Sequence, residues 1–552
     1  MSFIIENFEF LLEQQNEIKQ LKKVILNLAF KGSLTTSNEG ENASELLKEV
    51  EESRKKLINS KAIKATNKLH LKAKENPPYS LPEKWKWVRF WDVIYCYRGH
   101  NPPKSEFIYK PKEGYVRFIQ ITDFKTENSA VYVPETKKLK RVNKGEIVIA
   151  AYRHIGKLSR KMEGAFNVAL CKIINIEPFN RDYLELLIGT DLVKGELLKA
   201  SERGHIPSMH SGHLLSLWVP IPPLAEQKRI VKKVNSLFQK IDSLAAQAQA
   251  AQSIRKKLRT ALLQRLDTAA TATEVQTTWQ QVAGQFETVF DSVEGIQALR
   301  KSILQLAVKG KLVPQNASEE PAAVLLERIR EEKERLIREK VIKKGKALPP
   351  IESGEVLFDV PEGWVWCRLQ EVIDVRDGTH DSPKPYSGSD SYPLVTSKDF
   401  KKGIIDMEGA RRISKEDYEK VIKRSYVEEH DILFSTIGGN IGNQVMVIGE
   451  TNFAIKNVAL FKYYNLEYIS PYYLKIFTEH IAYTLQNSAI GGAQPFVSLT
   501  YLRTILFPLP PLSEQKRIIE KVNQLMTWCD RLEALLEERA GVKQRLLDRV
   551  MG

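Results

Sequence analysis

Asn76-Pro77-Pro78-Tyr79 spells the tetrapeptide with which amino-group methyltransferases hold an extruded adenine. In that role it follows a buried strand, and a glycine-rich cofactor loop stands elsewhere in the chain. Here it follows the polar run LHLKAKE. A duplicate of the stretch has Val356, Leu357 and Phe358 at the matching places, so only the aromatic, Tyr79 or Phe358, persists. That pattern suits a packing residue. Asp123, Glu135 and Lys137 have the order of a metal-dependent nuclease, but the second copy keeps only Asp399 and puts Arg411, Arg412 and Ile413 where the Glu and Lys should fall. His205, His210 and His213 lie close enough to hold a metal ion, yet the matching GGAQPFVSLT has no histidine. Gly438, Gly439 and Gly442 lack the dinucleotide spacing, and no phosphate-binding P-loop is present. The expectation is a chain without catalytic, cofactor-binding or metal residues of its own. Methyl transfer through Asn76–Tyr79 stands as the less favoured alternative.

The elements around these residues come in pairs. PIPPLAEQKRIVKKVNSLFQKIDSL from Pro220 recurs as PLPPLSEQKRIIEKVNQLMTWCDRL from Pro508, 288 positions on. Ile230, Val234, Leu237, Ile241 and Leu244 are spaced four, three, four, three, and Ile518, Val522, Leu525, Cys529 and Leu532 repeat this. Such spacing makes a coiled-coil seam. A narrow apolar stripe needs a partner, and the two matching stripes are expected to pair antiparallel. The opening is duplicated too. The helix with Ile18, Leu21, Ile25 and Leu28, stopped at Lys31-Gly32, recurs with Ile296, Leu299, Ile303 and Leu306, stopped at Lys309-Gly310. Between the helices lie segments rich in Gly, Pro and aromatics, with short β-type runs. They open on LPEKWKWVRFWDVI from Leu81 and VPEGWVWCRLQEVI from Val360, and they share NVAL at Asn167 and Asn457. The loops between these anchors diverge.

The expected division is therefore helical 1–76, globular 77–222, helical 223–350, globular 351–510 and a closing helix 511–552. The fold class is α+β: two similar α/β domains separated by long antiparallel coiled-coil helices, with a pseudo-two-fold from tandem, circular duplication. A helix from Leu224 to Leu266 would run roughly 65 Å.

Net charge is +15 and 43% of residues are apolar, so real cores form and a polyanion is the natural partner. Four isolated cysteines suit a reducing cytosol. No apolar run approaches a membrane span, and Glu6, Glu9 and Glu13 argue against a signal peptide. Duplex DNA has local two-fold symmetry with half-sites about 34–36 Å apart. Two like domains with unlike loops, CYRGHNPPKSEF and VRDGTHDSPKPY, would read two unrelated short sequences across an unread gap set by the helices.

The duplicated PPL-x-EQ-x-RI helix, the LP-x-x-W-x-W opening, the GDI-like strand leading to an IG turn and the NVAL segment resemble the specificity subunit of type I restriction–modification systems. The likeness spans nearly the whole chain, in order and twice. It implies two target-recognition domains on a split asymmetric DNA site. It also implies two methyltransferase subunits that use S-adenosylmethionine, motor-endonuclease subunits that use ATP and Mg2+, and a bacterial or archaeal cytoplasm. A stand-alone bipartite DNA-binding regulator of the same shape is the alternative.

Base contacts need donors and acceptors that reach the major groove, and phosphate contacts need Lys and Arg. The first domain offers Arg98, His100, Lys104, Gln120, Thr122, Lys138, Arg153, His154, Lys157, Ser208 and His210. The second offers Arg376, Thr379, His380, Ser397, Lys398, Asn440, Gln494 and Ser498. Glu226, Gln227 and Arg229, with Glu514, Gln515 and Arg517, recur off the seam at a helix start. They are the expected docking surface for the methyltransferase subunits.

Overall fold

Ile147-Val148-Ile149-Ala150 is apolar without alternation, so both of its faces must be covered. In the computed structural model of the chain it is a strand between two cores. The structure describes residues 15–65, 76–124, 130–152, 154–201, 211–401, 403–488 and 496–551. It divides into two units, Met1–Ala251 with Lys543–Gly552, and Gln252–Val542.

In the first unit, helices α1 (Gln15–Phe30) and α2 (Ala43–Asn59) precede a ribbon of β1 (Lys86–Arg89) with β10 (Trp218–Ile221). Strands β2 (Ile94–Arg98), β9 (Leu170–Asn175), β6 (Ile147–Ala150) and β7 (Leu158–Ser159) form one sheet in that spatial order. A second sheet runs β4 (Val131–Pro134), β3 (Tyr115–Ile119), β8 (Gly164–Phe166), β5 (Arg141–Val142). Ile147 and Ile149 face a core shared with helices α1, α3 (Arg181–Ile188) and α4 (Leu224–Thr268). Val148 and Ala150, with Leu170 of β9, face the second sheet through Ile119, Val142 and Phe166. Period-two alternation thus decides which core each residue of β6 joins.

The second unit repeats the plan with helices α5 (Val293–Val308) and α6 (Ala322–Arg338). Its ribbon is β11 (Val365–Arg368) with β21 (Leu506–Leu509), in the register of β1 with β10. Its main sheet is β12 (Ile373–Asp377), β20 (Val458–Tyr463), β17 (Ile432–Ser435) and β18 (Gln444–Met446). The small sheet has three strands, β16 (Arg411–Ile413), β13 (Tyr392–Val395) and β19 (Ala454–Ile455), with a separate hairpin β14 (Phe400–Lys401) and β15 (Ile404–Ile405). Helix α7 (Lys415–Ser425) follows β16, where the first unit has only the short β5. Helix α8 (Pro471–Ser488) leads, by a short helical turn and β21, to α9 (Leu512–Met551).

The apolar stripes form as their spacing predicts, but their cover differs from expectation. The sequence has one stripe covering the other. Inside each unit the cover is the helix of the opening module. Ile230, Val234, Leu237 and Ile241 share a core with Leu21 and Ile25. Ile518, Val522, Leu525 and Cys529 share one with Ile296, Leu299 and Ile303. These pairs are antiparallel: Lys22 meets Asp242 at 2.6 Å, while Thr35 reaches back to Glu226 at 2.9 Å. The second unit places Arg300 on Asp530 at 2.6 Å.

Each opening helix ends as read. Ser33 N bonds Leu28 O at 2.9 Å around Gly32 at φ +76°, and Lys311 N bonds Leu306 O at 2.9 Å around Gly310 at φ +67°. A Cβ on either glycine would strike Pro82 or Pro361, so the stop also seats the chain against the LP-x-x-W turn.

Candidate nucleic-acid interface

In the first unit the ends of β2, β3 and β6 converge on the segment Phe166–Leu170. Gly99 N donates to Leu170 O at 3.3 Å, His100 N to Phe166 O at 3.1 Å, Asn167 N to Ile119 O at 3.2 Å and Ala151 N to Ala169 O at 2.8 Å. A Cβ on Gly99 would lie 2.0 Å from Phe166 O, so only glycine lets the loop pass this close. Asn101 Oδ1 accepts from Val168 N at 3.1 Å and fixes the next residue of the loop.

This end gathers several of the expected contacts. Arg98 closes β2, and exposed His100 follows it. Gln120 starts the turn Ile121–Phe124 and carries exposed Thr122; Asp123 holds that turn by accepting from Gln120 N at 2.7 Å. His154 is exposed, and Lys157 crosses the end of the sheet to donate to Phe124 O at 3.0 Å. Lys104 and Lys138 are exposed on the loops leading away. Arg153, Ser208, His210 and His205 lie outside the described residues.

The second unit builds the same end from different side chains. Gly378 N donates to Val458 O at 3.0 Å, Thr379 N to Ile455 O at 2.9 Å, and Asn457, at φ +55°, donates its N–H to Thr379 O at 3.2 Å. Lys456 ties the loop down through Asp381 O at 2.7 Å and the Ser382 hydroxyl. His380 is 63% exposed, with Nε2 2.8 Å from Asp377 Oδ2 and Nδ1 3.2 Å from Asn457 Oδ1. Ser397 and exposed Lys398 ride on a turn closed by Asp399, and Asn440 is exposed on the turn Gly438–Asn440. Gln494 lies outside the described residues.

Two expected readers have other work. Arg376 is half-buried, with Nε on Asp374 Oδ2 at 2.7 Å and its guanidinium 5.0 Å from the Tyr426 ring. Ser498 caps the turn Leu499–Thr504, its hydroxyl accepting from Tyr501 N at 3.1 Å. A side chain already satisfied inside the domain has little left to offer a base edge.

The model of the type I restriction modification DNA specificity domain matches residues 82–252 and 361–541, more than half of the chain. The chain belongs to this family. It is 29% identical over 96% of its length to the type I restriction enzyme EcoAI specificity subunit of Escherichia coli, covering 92% of that protein. To the EcoEI specificity subunit of Escherichia coli it is 27% identical, over 96% of this chain and 93% of that one. The crystal structure of the HsdS subunit from Thermoanaerobacter tengcongensis aligns with a TM-score of 0.42 and 18% identity, over 86% of this chain and 98% of that one.

In this type I specificity chain the expected docking residues are not an outward face. Glu226, Gln227, Glu514 and Gln515 are buried. Trp85 Nε1 donates to Glu226 at 3.0 Å and Trp364 Nε1 to Glu514 at 2.9 Å. Gln227 Oε1 accepts from Asn180 N at 3.0 Å, and Gln515 Oε1 from Ser470 N at 2.9 Å. Arg229 pairs with Glu41 at 2.5 Å and holds that carboxyl down to about 2; Arg517 pairs likewise with Glu319. Burial pushes the Glu514 carboxyl up. The motif fastens each long helix to its own globular part. Its partners are up to 203 residues away, which is why the sequence reads it as a solvated helix start.

Two further chemistry-bearing motifs resolve into packing and ion pairs. Tyr79 lies 4.8 Å from Trp87 and donates to Phe30 O at 3.0 Å; Phe358 lies 4.9 Å from Trp366. Tyr79 is thus a packing residue, as Phe358 is in the second unit. Asp123 pairs with Arg117 at 2.8 Å and Glu135 with Arg141 at 2.5 Å, so the nuclease-like order dissolves into separate ion pairs. Asn101, Asn167, Asn457 and Lys456 were not singled out from the sequence as site residues. For the two NVAL asparagines the recurrence itself was the available signal.

Proposed function

We propose that the loop end of each unit reads one half of a split, asymmetric DNA site, and that the long helices set the gap and carry the methyltransferase subunits. The supporting observation is the pairing of like frames with unlike loops. Both units bring strand ends onto one asparagine turn, at Asn167 and Asn457, and offer His100, Gln120 and Thr122 from one, Lys398 and Asn440 from the other. Identical readers would call for a palindrome, whereas unlike readers call for two unrelated blocks.

The proposed division keeps 1–76, 223–350 and 511–552 as helical regions, with readers at 77–222 and 351–510. An approximate two-fold belongs to the same proposal. Catalysis, S-adenosylmethionine, ATP and Mg2+ are assigned to partner subunits. Among the described residues no helix is long and apolar enough to cross a membrane.

Selection from a pool of random duplexes by the assembled methyltransferase complex tests this reading. Two unlike blocks at a fixed gap are expected. A single palindromic block, or no enrichment, contradicts it. Tight specific binding by the chain alone would favour a stand-alone regulator.

A further inference from the structure

Several large side chains near the reading end of the second unit are exposed, Tyr386, Tyr501 and Phe496 among them. Phe496 is 61% exposed, and it is the one phenylalanine in that exposed class among the described residues. Its mount is rigid. Val497 N donates to Thr436 O at 2.9 Å, and Phe496 bridges to Ile437 in antiparallel fashion. Val497 is buried, and Ser498 caps the helical turn that follows. Thr436 and Ile437 continue from β17, whose last residue, Ser435, pairs with Val458 beside the Asn457 turn. The exposed turn Gly438–Asn440 follows directly. A ring of this size is thus held toward solvent by backbone on one side and a buried neighbour on the other, at the end where the loops gather.

We propose that Phe496 is a specificity-determining residue of the second reader, contacting DNA bases through its ring. The inference rests on the DNA-reading assignment above. Exposing a phenyl ring to water is unfavourable, and the ring lacks donors or acceptors for phosphate. Bases supply the matching chemistry. A thymine methyl offers an apolar contact in the major groove, and an apolar wedge can enter a flexible base step. In the aligned stretch of the first reader the same place holds Ser208, a hydroxyl, which suits unlike half-sites.

The test is selection from random duplexes by the complex carrying Phe496→Ala, beside the unaltered complex. The variant removes an exposed ring, so its unfolding temperature should match the parent. Selectivity should relax at one or two positions in one half of the site, with affinity for the parent site falling about tenfold. The other half and the gap should stay the same. Replacing thymine by uracil at a relaxed position separates methyl contact from wedging: a parent complex sensitive to it uses the methyl, and an insensitive one uses the wedge. An unchanged sequence profile for the variant overturns this inference alone. Failure of the unaltered complex to enrich any sequence overturns the DNA-reading assignment with it.

Discussion

Trp85 donates its indole N–H to Glu226 Oε2 at 3.0 Å across 141 positions of sequence, and Trp364 repeats the bond to Glu514 at 2.9 Å across 150. Both carboxylates are buried at the start of a long helix and accept further bonds, from Thr35 and Ser37 in one unit and Gln315 in the other. Each helix is thereby fixed to the globular part that precedes it.

Glu226→Ala should leave a buried indole N–H and two hydroxyls without an acceptor. That costs about 2–4 kcal/mol. Calorimetry should show a lowered unfolding temperature, with Glu226→Gln in between. Unchanged stability together with lost methyltransferase binding would restore a docking role for this residue.

The same bond shows where sequence reading stops. The helix stops at Gly32 and Gly310, the apolar stripes and the paired LP-x-x-W and NVAL anchors were legible because each is local or repeated. The role of Glu226 was not, since Glu in a first helical turn also suits the helix dipole. Arg376 and Ser498 looked free for the opposite reason. The partner of Arg376 is two residues away, at Asp374, and Ser498 begins a helical turn too short for periodicity to reveal. The cover of the stripes was misassigned because two equivalent stripes invite pairing, while the pattern of α1 is just as good a partner.

A buried acid in the second unit makes stability depend on pH. Asp431 lies 2.7 Å from Lys462, and burial outweighs that ammonium and pushes the carboxyl up to about 6. Its ordinary value is about 3.9. The folded state therefore binds the proton more tightly, and the stabilisation present below about pH 4 is lost as pH rises through about 6. The change is on the order of 3 kcal/mol. Asp431→Asn should remove this limb, so the gap in unfolding temperature between parent and variant varies from pH 4 to 6. Glu41 has the opposite sign: Arg229 holds it near 2, and its contribution is lost only as pH falls toward that value. A parent–variant gap at Asp431 that is flat with pH contradicts the assignment.

Gly99 and Gly378 sit where the reading loops cross a carbonyl, Phe166 O at 2.0 Å and Ile455 O at 2.8 Å from an added Cβ. Gly99→Ala should displace the loop carrying His100 and abolish selectivity in one half-site while the other half survives. Gly378→Ala should act on the other half, and more weakly. Binding assays against duplexes altered in one half at a time check this. Equal loss in both halves would count against separate readers.

Helix α4 runs unbroken from Leu224 to Thr268. Deleting four residues within Ala245–Ser253 shortens it by about 6 Å, roughly two base pairs of duplex. The gap between half-sites should change and the half-sites themselves should not. Mapping the preferred site of the deletion complex measures this directly, and an unchanged gap would remove the helix from the role of spacer.

The central claim is that two like frames read two unlike sequences independently. Exchanging residues 77–222 for the corresponding domain of another family member, then mapping methylated adenines in cellular DNA, tests it most directly. One block of the site should be replaced, with the second block and the gap retained. A site altered in both blocks, or in neither, would contradict the account.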